Sequence, residues 1–129
     1  MRIILISILL VCLQSASYGN QELINKADNG DPIAQNNVGY GYLYGMESFE
    51  KDIDKAIKYL NMAAEQDQVN AMTTVGWVYF SGEFGAPQIN EEALYWTQRA
   101  SDLGCATASY NMGFFYYSGV VGLEQDLTI

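Results

Sequence analysis

The sequence predicts an all-α fold, a short right-handed solenoid of helical hairpins, and three observations predict it. The stretches NNVGYGYLYG at 36–45, TTVGWVYFSG at 73–82 and YNMGFFYYSG at 110–119 align without a gap, each 37 residues after the last. Apolar or small residues recur at Ala34, Val38 and Tyr42, at Ala71, Val75 and Tyr79, and at Ala108, Met112 and Tyr116, a spacing of four that lines one helical face. A glycine closes each stretch, at Gly45, Gly82 and Gly119, where a left-handed residue can end a helix. Self-similarity at a period of this size is the signature of stacked helical repeats.

In chain order, the first segment stands apart from the fold. Arg2 precedes the apolar run 3–13 and small polar residues follow, which is the layout of a cleavable signal peptide over 1–19 with Ser17 and Gly19 just before the cut. The run is too short to span a bilayer. A lipoprotein would acylate Cys12, but Val11 precedes it where a small residue is wanted. The expected location of the mature chain, residues 20–129, is therefore the periplasm or the exterior. Removal of Cys12 leaves Cys105 alone, so no intramolecular disulfide can staple the chain, and a bacterial envelope fits better than animal secretion.

Residues 21–30 read as a capping helix, because Leu23, Leu60 and Thr97 share a column and Gly30, Asp67 and Gly104 share another. Repeat 1 covers 31–67, and its second helix carries the stripe Ile53, Ala56, Ile57, Leu60, Ala63 and Ala64. Repeat 2 covers 68–104, with Ala93, Leu94, Trp96, Thr97 and Ala100 as the stripe, Pro87 in the connection and Gly104 just past the end. Repeat 3, over 105–129, is incomplete: the column of Ala56 and Ala93 next falls on position 130. Its Tyr110, Phe114, Phe115 and Tyr117 are expected to lack the cover of a second helix. The alanine columns and the column of Gly39, Gly76 and Gly113 admit close approach of a neighbouring helix. Because these glycines lie inside helical periodicity, with no strand before them, they argue against a phosphate-cradling loop.

The residues carry a family resemblance. The order Ala34, Gln35, Val38, Gly39, Tyr42 and Gly45, followed by Asp52, Lys55, Ala56, Tyr59, Ala63 and Ala64, resembles the Sel1-like repeat, a relative of the tetratricopeptide repeat. The second unit resembles it through Ala71, Val75, Gly76, Tyr79, Gly82, Ala93, Trp96, Ala100 and Gly104, and departs from it at Ile89, where the Asp column is broken. The third resembles it through Ala108, Met112, Gly113, Tyr116, Gly119 and Asp126. What the resemblance implies is an adaptor or scaffold role in signalling, secretion, envelope stress or host interaction, without a shared active site.

Charge and composition narrow the chemistry. Against 15 acidic residues stand 6 basic ones, a formal net charge of -9 that becomes -10 when Arg2 leaves. Nucleic acid and anionic membrane surfaces are disfavoured as partners, and a basic protein or peptide is steered in. The absence of histidine removes the commonest general base and metal ligand, and no cofactor or metal is expected. The charged stretch 47–54 reads as a solvated connection and helix start rather than a metal site. Glu91 and Glu92 are adjacent and do not face one another along a helix, so a dipole role outweighs glycosidase-like catalysis. Cys105 reads as a packed small hydrophobe rather than a reactive thiol.

The candidate binding residues are two columns beside the packing face. Tyr40, Trp77 and Phe114 occupy one equivalent position, and Asn37, Thr74 and Asn111 lie three residues earlier. Stacked on an inner curve, they would form an aromatic strip flanked by short polar groups, suited to a protein or peptide. The competing reading is that the rings fill gaps between repeats. Two further functions remain open at this point: a homo-oligomeric structural subunit joined through the incomplete third repeat, and an envelope-directed enzyme.

Overall fold

The computed structural model describes residues 20–46 and 48–119; the expected signal peptide over 1–19, Glu47, and repeat 3 beyond residue 119 lie outside the described residues. Among the described residues there are six helices and no strand. Helix α1 covers residues 20–28, and five helices of 13 residues follow: α2 Pro32–Tyr44, α3 Ile53–Glu65, α4 Val69–Ser81, α5 Asn90–Asp102 and α6 Ala106–Ser118. No described helix is long and apolar enough to cross a membrane.

Local chemistry sets the ends. Asp31 caps α2 by accepting from the Ile33 and Ala34 N–H groups, with Pro32 at the first turn, where its missing donor costs nothing. Asp52 caps α3 by accepting from Lys55 N. At Ile89, where the Asp column breaks, α5 has no side-chain cap, and Glu91 and Glu92 in its first turn complement the helix dipole instead. The backbone contact of this position survives the substitution: Asp52 N donates to Tyr42 O at 2.9 Å and Ile89 N donates to Tyr79 O at 3.0 Å. Helices α2, α4 and α6 end on Gly45, Gly82 and Gly119 in the left-handed conformation, with φ of 64°, 66° and 66°. That is the stop the sequence places there.

Helices α2 and α3 form one hairpin and α4 and α5 a second, while α3 packs on α4 and α5 on α6, so successive units share one core. The main core runs through Leu43, Leu60, Met72, Val75, Val78, Trp96 and Ala100. Each fully buried large aliphatic side chain in it, Leu60 among them, contributes about 1.5–3 kcal/mol. Gly39 and Gly76 lie where Leu60 of α3 and Thr97 of α5 press against the first helix of each hairpin, so these columns serve helix packing.

The capping helix is tied down by polar contacts. Buried Gln35 donates to Ala27 O at 3.0 Å and accepts from Gln66 Nε2 at 2.8 Å, joining α1, α2 and the end of α3. Tyr59 donates to Asp28 at 2.8 Å. Burial, followed by that bond, pushes the Tyr59 phenol up to about 12. An unfolded tyrosine ionises near 10, so this contribution is intact below about pH 10 and is lost as pH rises towards 12, because only the unfolded state gives up its proton there. Urea midpoints measured from pH 9 to 12 should fall less steeply in Tyr59→Phe than in the native chain; parallel slopes would show that Tyr59 is not the group involved.

Asp67 shares the left-handed column with Gly30 and Gly104, at φ 64° against their 100° and 91°. A short polar side chain tolerates this conformation better than most, and here it also reaches Arg99 at 2.5 Å. The pair bridges the first repeat to the second. Both side chains are partly exposed, so its energetic weight is small.

Candidate functional site

The first helices of the hairpins differ from the second ones. Helices α3 and α5 are amphipathic, whereas α2, α4 and α6 carry apolar or aromatic residues around much of their circumference. One side of each first helix packs in the hairpin, which leaves rings at the sides facing the neighbouring repeats and solvent.

Two of the predicted pairs meet across repeats. The Tyr40 phenol lies 2.6 Å from Thr74 Oγ1, and since Thr74 already donates to Asn70 O at 2.8 Å, Tyr40 is the donor. Trp77 packs on Phe114 with ring centroids 6.2 Å apart. Both tyrosine and tryptophan are half-buried, and Phe114 remains 41% exposed, so the rings fill inter-repeat space and still offer a surface.

The short polar residues separate. Asn37 is exposed and lines, with Leu23, Tyr40, Gly41, Met46 and Phe49, a cavity of about 430 Å³. Thr74 is consumed by Tyr40. Asn111 is buried, so it supports the wall of α6 more than it meets a ligand. Phe115 also departs from expectation. It is fully buried, stacked on Phe80 at 3.9 Å and beside Trp77 at 6.3 Å, because its column faces α4 rather than the place of a second helix. Tyr110, Phe114 and Tyr117 are exposed as expected, at 75%, 41% and 80%.

Sequence reasoning missed Tyr44 and Phe84. Tyr44 stacks on Tyr40 at 5.9 Å and meets Phe84 edge-on at 5.6 Å, which extends the aromatic surface beyond the column. Desolvation, then the neighbouring Tyr40 and Glu83, raise the Tyr44 phenol above its ordinary value, so it is a neutral donor at physiological pH. Its distance of one helical turn from Tyr40 was the available signal.

No cluster of three or more His, Cys, Asp or Glu among the described residues is placed to hold a metal. Cys105 stands just before α6, half-buried, and the Ala108 N–H followed by the Thr73 hydroxyl 3.6 Å away draws its thiol below the ordinary value. What the strip supplies is flat apolar area, phenol hydroxyls and an exposed amide, the chemistry of side-chain and backbone recognition.

The comparisons agree with this architecture. The profile of the Sel1 repeat matches residues 32–68, 69–105 and 106–129. The crystal structure of a Sel1 repeat protein from Oxalobacter formigenes is 34% identical, with a TM-score of 0.66 over 78% of this chain and 74% of that one. A protective antigen of uropathogenic Escherichia coli strains, c5321, which displays an SLR fold, is 35% identical with a TM-score of 0.71, over 78% of this chain and 21% of that one. A search of curated proteins finds no match. Sel1 repeat proteins are generally protein-interaction adaptors. With three matched units in register with α2 to α6, the chain belongs to the Sel1 repeat family.

Proposed function

We propose that the protein is a secreted or periplasmic adaptor that holds a protein or peptide, one with basic character, on the aromatic strip of its first helices, without catalysis. The observation that carries this reading is the continuity of half-exposed rings across repeats, from Tyr44 and Tyr40 through the Tyr40–Thr74 hydrogen bond to Trp77 and Phe114, beside the cavity at Asn37. The arrangement of Arg2 and the apolar run 3–13 supports export, and the net charge of -9 supports a basic partner.

The test is a crosslinking capture from native envelope or culture medium with residues 20–129, comparing the native chain with Trp77→Ala and Glu65→Ala, each confirmed helical by circular dichroism. A specific partner should be lost with Trp77→Ala, at a cost of about tenfold or more in affinity, and retained with Glu65→Ala, whose exposed charge lies off the strip. Equal effects of the two variants would remove the strip from the function.

A further inference from the structure

Arg99 shows how this chain holds a guanidinium. It lies over the Trp96 ring at 5.8 Å, donates to the Tyr95 hydroxyl at 3.3 Å and reaches the Asp67 carboxylate at 2.5 Å. Tyr95 and Trp96 themselves meet edge-on, with centroids 4.9 Å apart and planes at 76°. The same set of groups stands a second time between the first repeat and the second. Tyr44 and Phe84 meet edge-on at 5.6 Å and 84°, Tyr44 brings a phenol, and Glu83 next to Phe84 brings a carboxylate. Among the described residues, no cation pairs with Glu83 or lies over either ring: Lys55, Lys58 and Arg99 lie over Tyr42, Tyr59 and Trp96, and Lys26 pairs with Glu22.

A turn fixes this second set. Glu83 and Phe84 are its two central residues, between Gly82 and Gly85, and Gly85 N donates to Gly82 O at 3.3 Å across it. Buried Ala86 and the bond from Gln88 Nε2 to Phe80 O at 3.0 Å anchor the chain that follows. Across from the turn, Tyr44 is stacked on Tyr40 and stays 53% exposed, and Glu83 is exposed as well. Glu83 joins burial and Tyr40 in raising the Tyr44 phenol, so its charge is felt at that ring. We infer that this corner is the subsite at which the adaptor takes an arginine side chain of its basic partner, a specification that rests on the function proposed above. The guanidinium lies against the two rings and directs N–H groups to the Glu83 carboxylate and the Tyr44 hydroxyl, as Arg99 does to Asp67 and Tyr95. Arginine is selected over lysine because its planar, weakly hydrated group stacks on rings and forms two parallel bonds to a carboxylate. The positions equivalent to Glu83 and Phe84 are Met46 and Glu47 in the first repeat and Val120 and Val121 in the third, so the repeat pattern offers this pairing of carboxylate and ring once.

The probes are acetyl-arginine methylamide, its lysine counterpart and its citrulline counterpart, which keeps the shape of arginine without the charge. Each is titrated into isotopically labelled residues 20–129, which hold every described helix, and followed through the amide chemical shifts. Arginine should shift Tyr44, Glu83 and Phe84 saturably with a dissociation constant of the order of millimolar, at least about threefold below that of lysine, while citrulline gives no saturable shift. Glu83→Gln, at an exposed position, should weaken arginine binding by about fivefold or more and leave the urea midpoint unchanged. Glu65→Ala, at the end of the first hairpin opposite Tyr44, should leave arginine binding within about twofold, which separates the subsite from the general pull of an acidic chain. No saturable shift at the three residues, equal binding of lysine or citrulline, or undiminished binding by Glu83→Gln would overturn the proposal. So would a captured partner that Trp77→Ala loses and Glu83→Gln retains at full affinity, a result that leaves the strip standing. Arginine bound as expected, beside a captured partner indifferent to Trp77→Ala, would instead remove the strip and support the arginine site.

Discussion

Gly76→Ala is expected to destabilise the protein by about 1–2 kcal/mol, whereas Gly113→Ala, the same change in the same column one repeat later, is expected to stabilise it by up to about 1 kcal/mol. The helix-propensity gain of about 1 kcal/mol is common to both. What differs is the space. At Gly76 the new Cβ would run into Thr97 Oγ1 and lie 3.2 Å from the Ala93 carbonyl oxygen. Thr97 is fully buried, and the Ala93 oxygen belongs to the backbone, so relief requires α4 and α5 to move apart. Overpacking of this kind costs about 1–3 kcal/mol or somewhat more, which exceeds the propensity gain. At Gly113 no such cost arises, because nothing lies within 4 Å. Gly39→Ala should resemble Gly76→Ala, since Leu60 Cγ would be 2.5 Å away and Leu60 is fully buried. Urea denaturation of the three alanine variants checks the order, and three equal shifts would show that α6 is covered like its counterparts.

The same column shows how far the sequence could be read. Its period announced the hairpins, the left-handed stops at Gly45, Gly82 and Gly119, and the close approach at Gly39 and Gly76, because each depends on local register or on a neighbour supplied by the next segment of chain. It could also align Tyr40, Trp77 and Phe114, since a shared column implies a shared position on successive first helices. It could not tell which member of a column is covered. Gly113 differs from Gly76 only through what packs against it, and Phe115 is buried because its column faces α4. Tyr44 and Phe84 lay outside any repeating pattern: the equivalents of Tyr44 are Ser81 and Ser118, and Phe84 sits in a connection with no helical period. Asn111 had the same register as exposed Asn37 but a different environment.

Phe115→Ala should have the largest effect of any single truncation in the third repeat, a loss of about 3–5 kcal/mol from the region it anchors. Its ring is fully buried in a cluster with Phe80, Ala93 and Met112, and Trp77 leans on it from α4. Refilling of the volume is limited, because Phe80 is itself held between Trp77 and Phe115, and it falls to Met112, the flexible side chain of the cluster. In a stacked array, each unit is stabilised by its own contacts and by its nearest neighbours, so the damage should stay near the end of the stack. Amide hydrogen exchange should therefore show α6 losing protection while α3 and α4 keep most of theirs, and tryptophan emission should shift to the red as Trp77 gains water. Loss of protection throughout the chain would mean that the three units fold as one cooperative block. That outcome would bear on the proposed binding as well, because a partner held at the strip would then stabilise all three units through shared folding rather than only the repeats it touches.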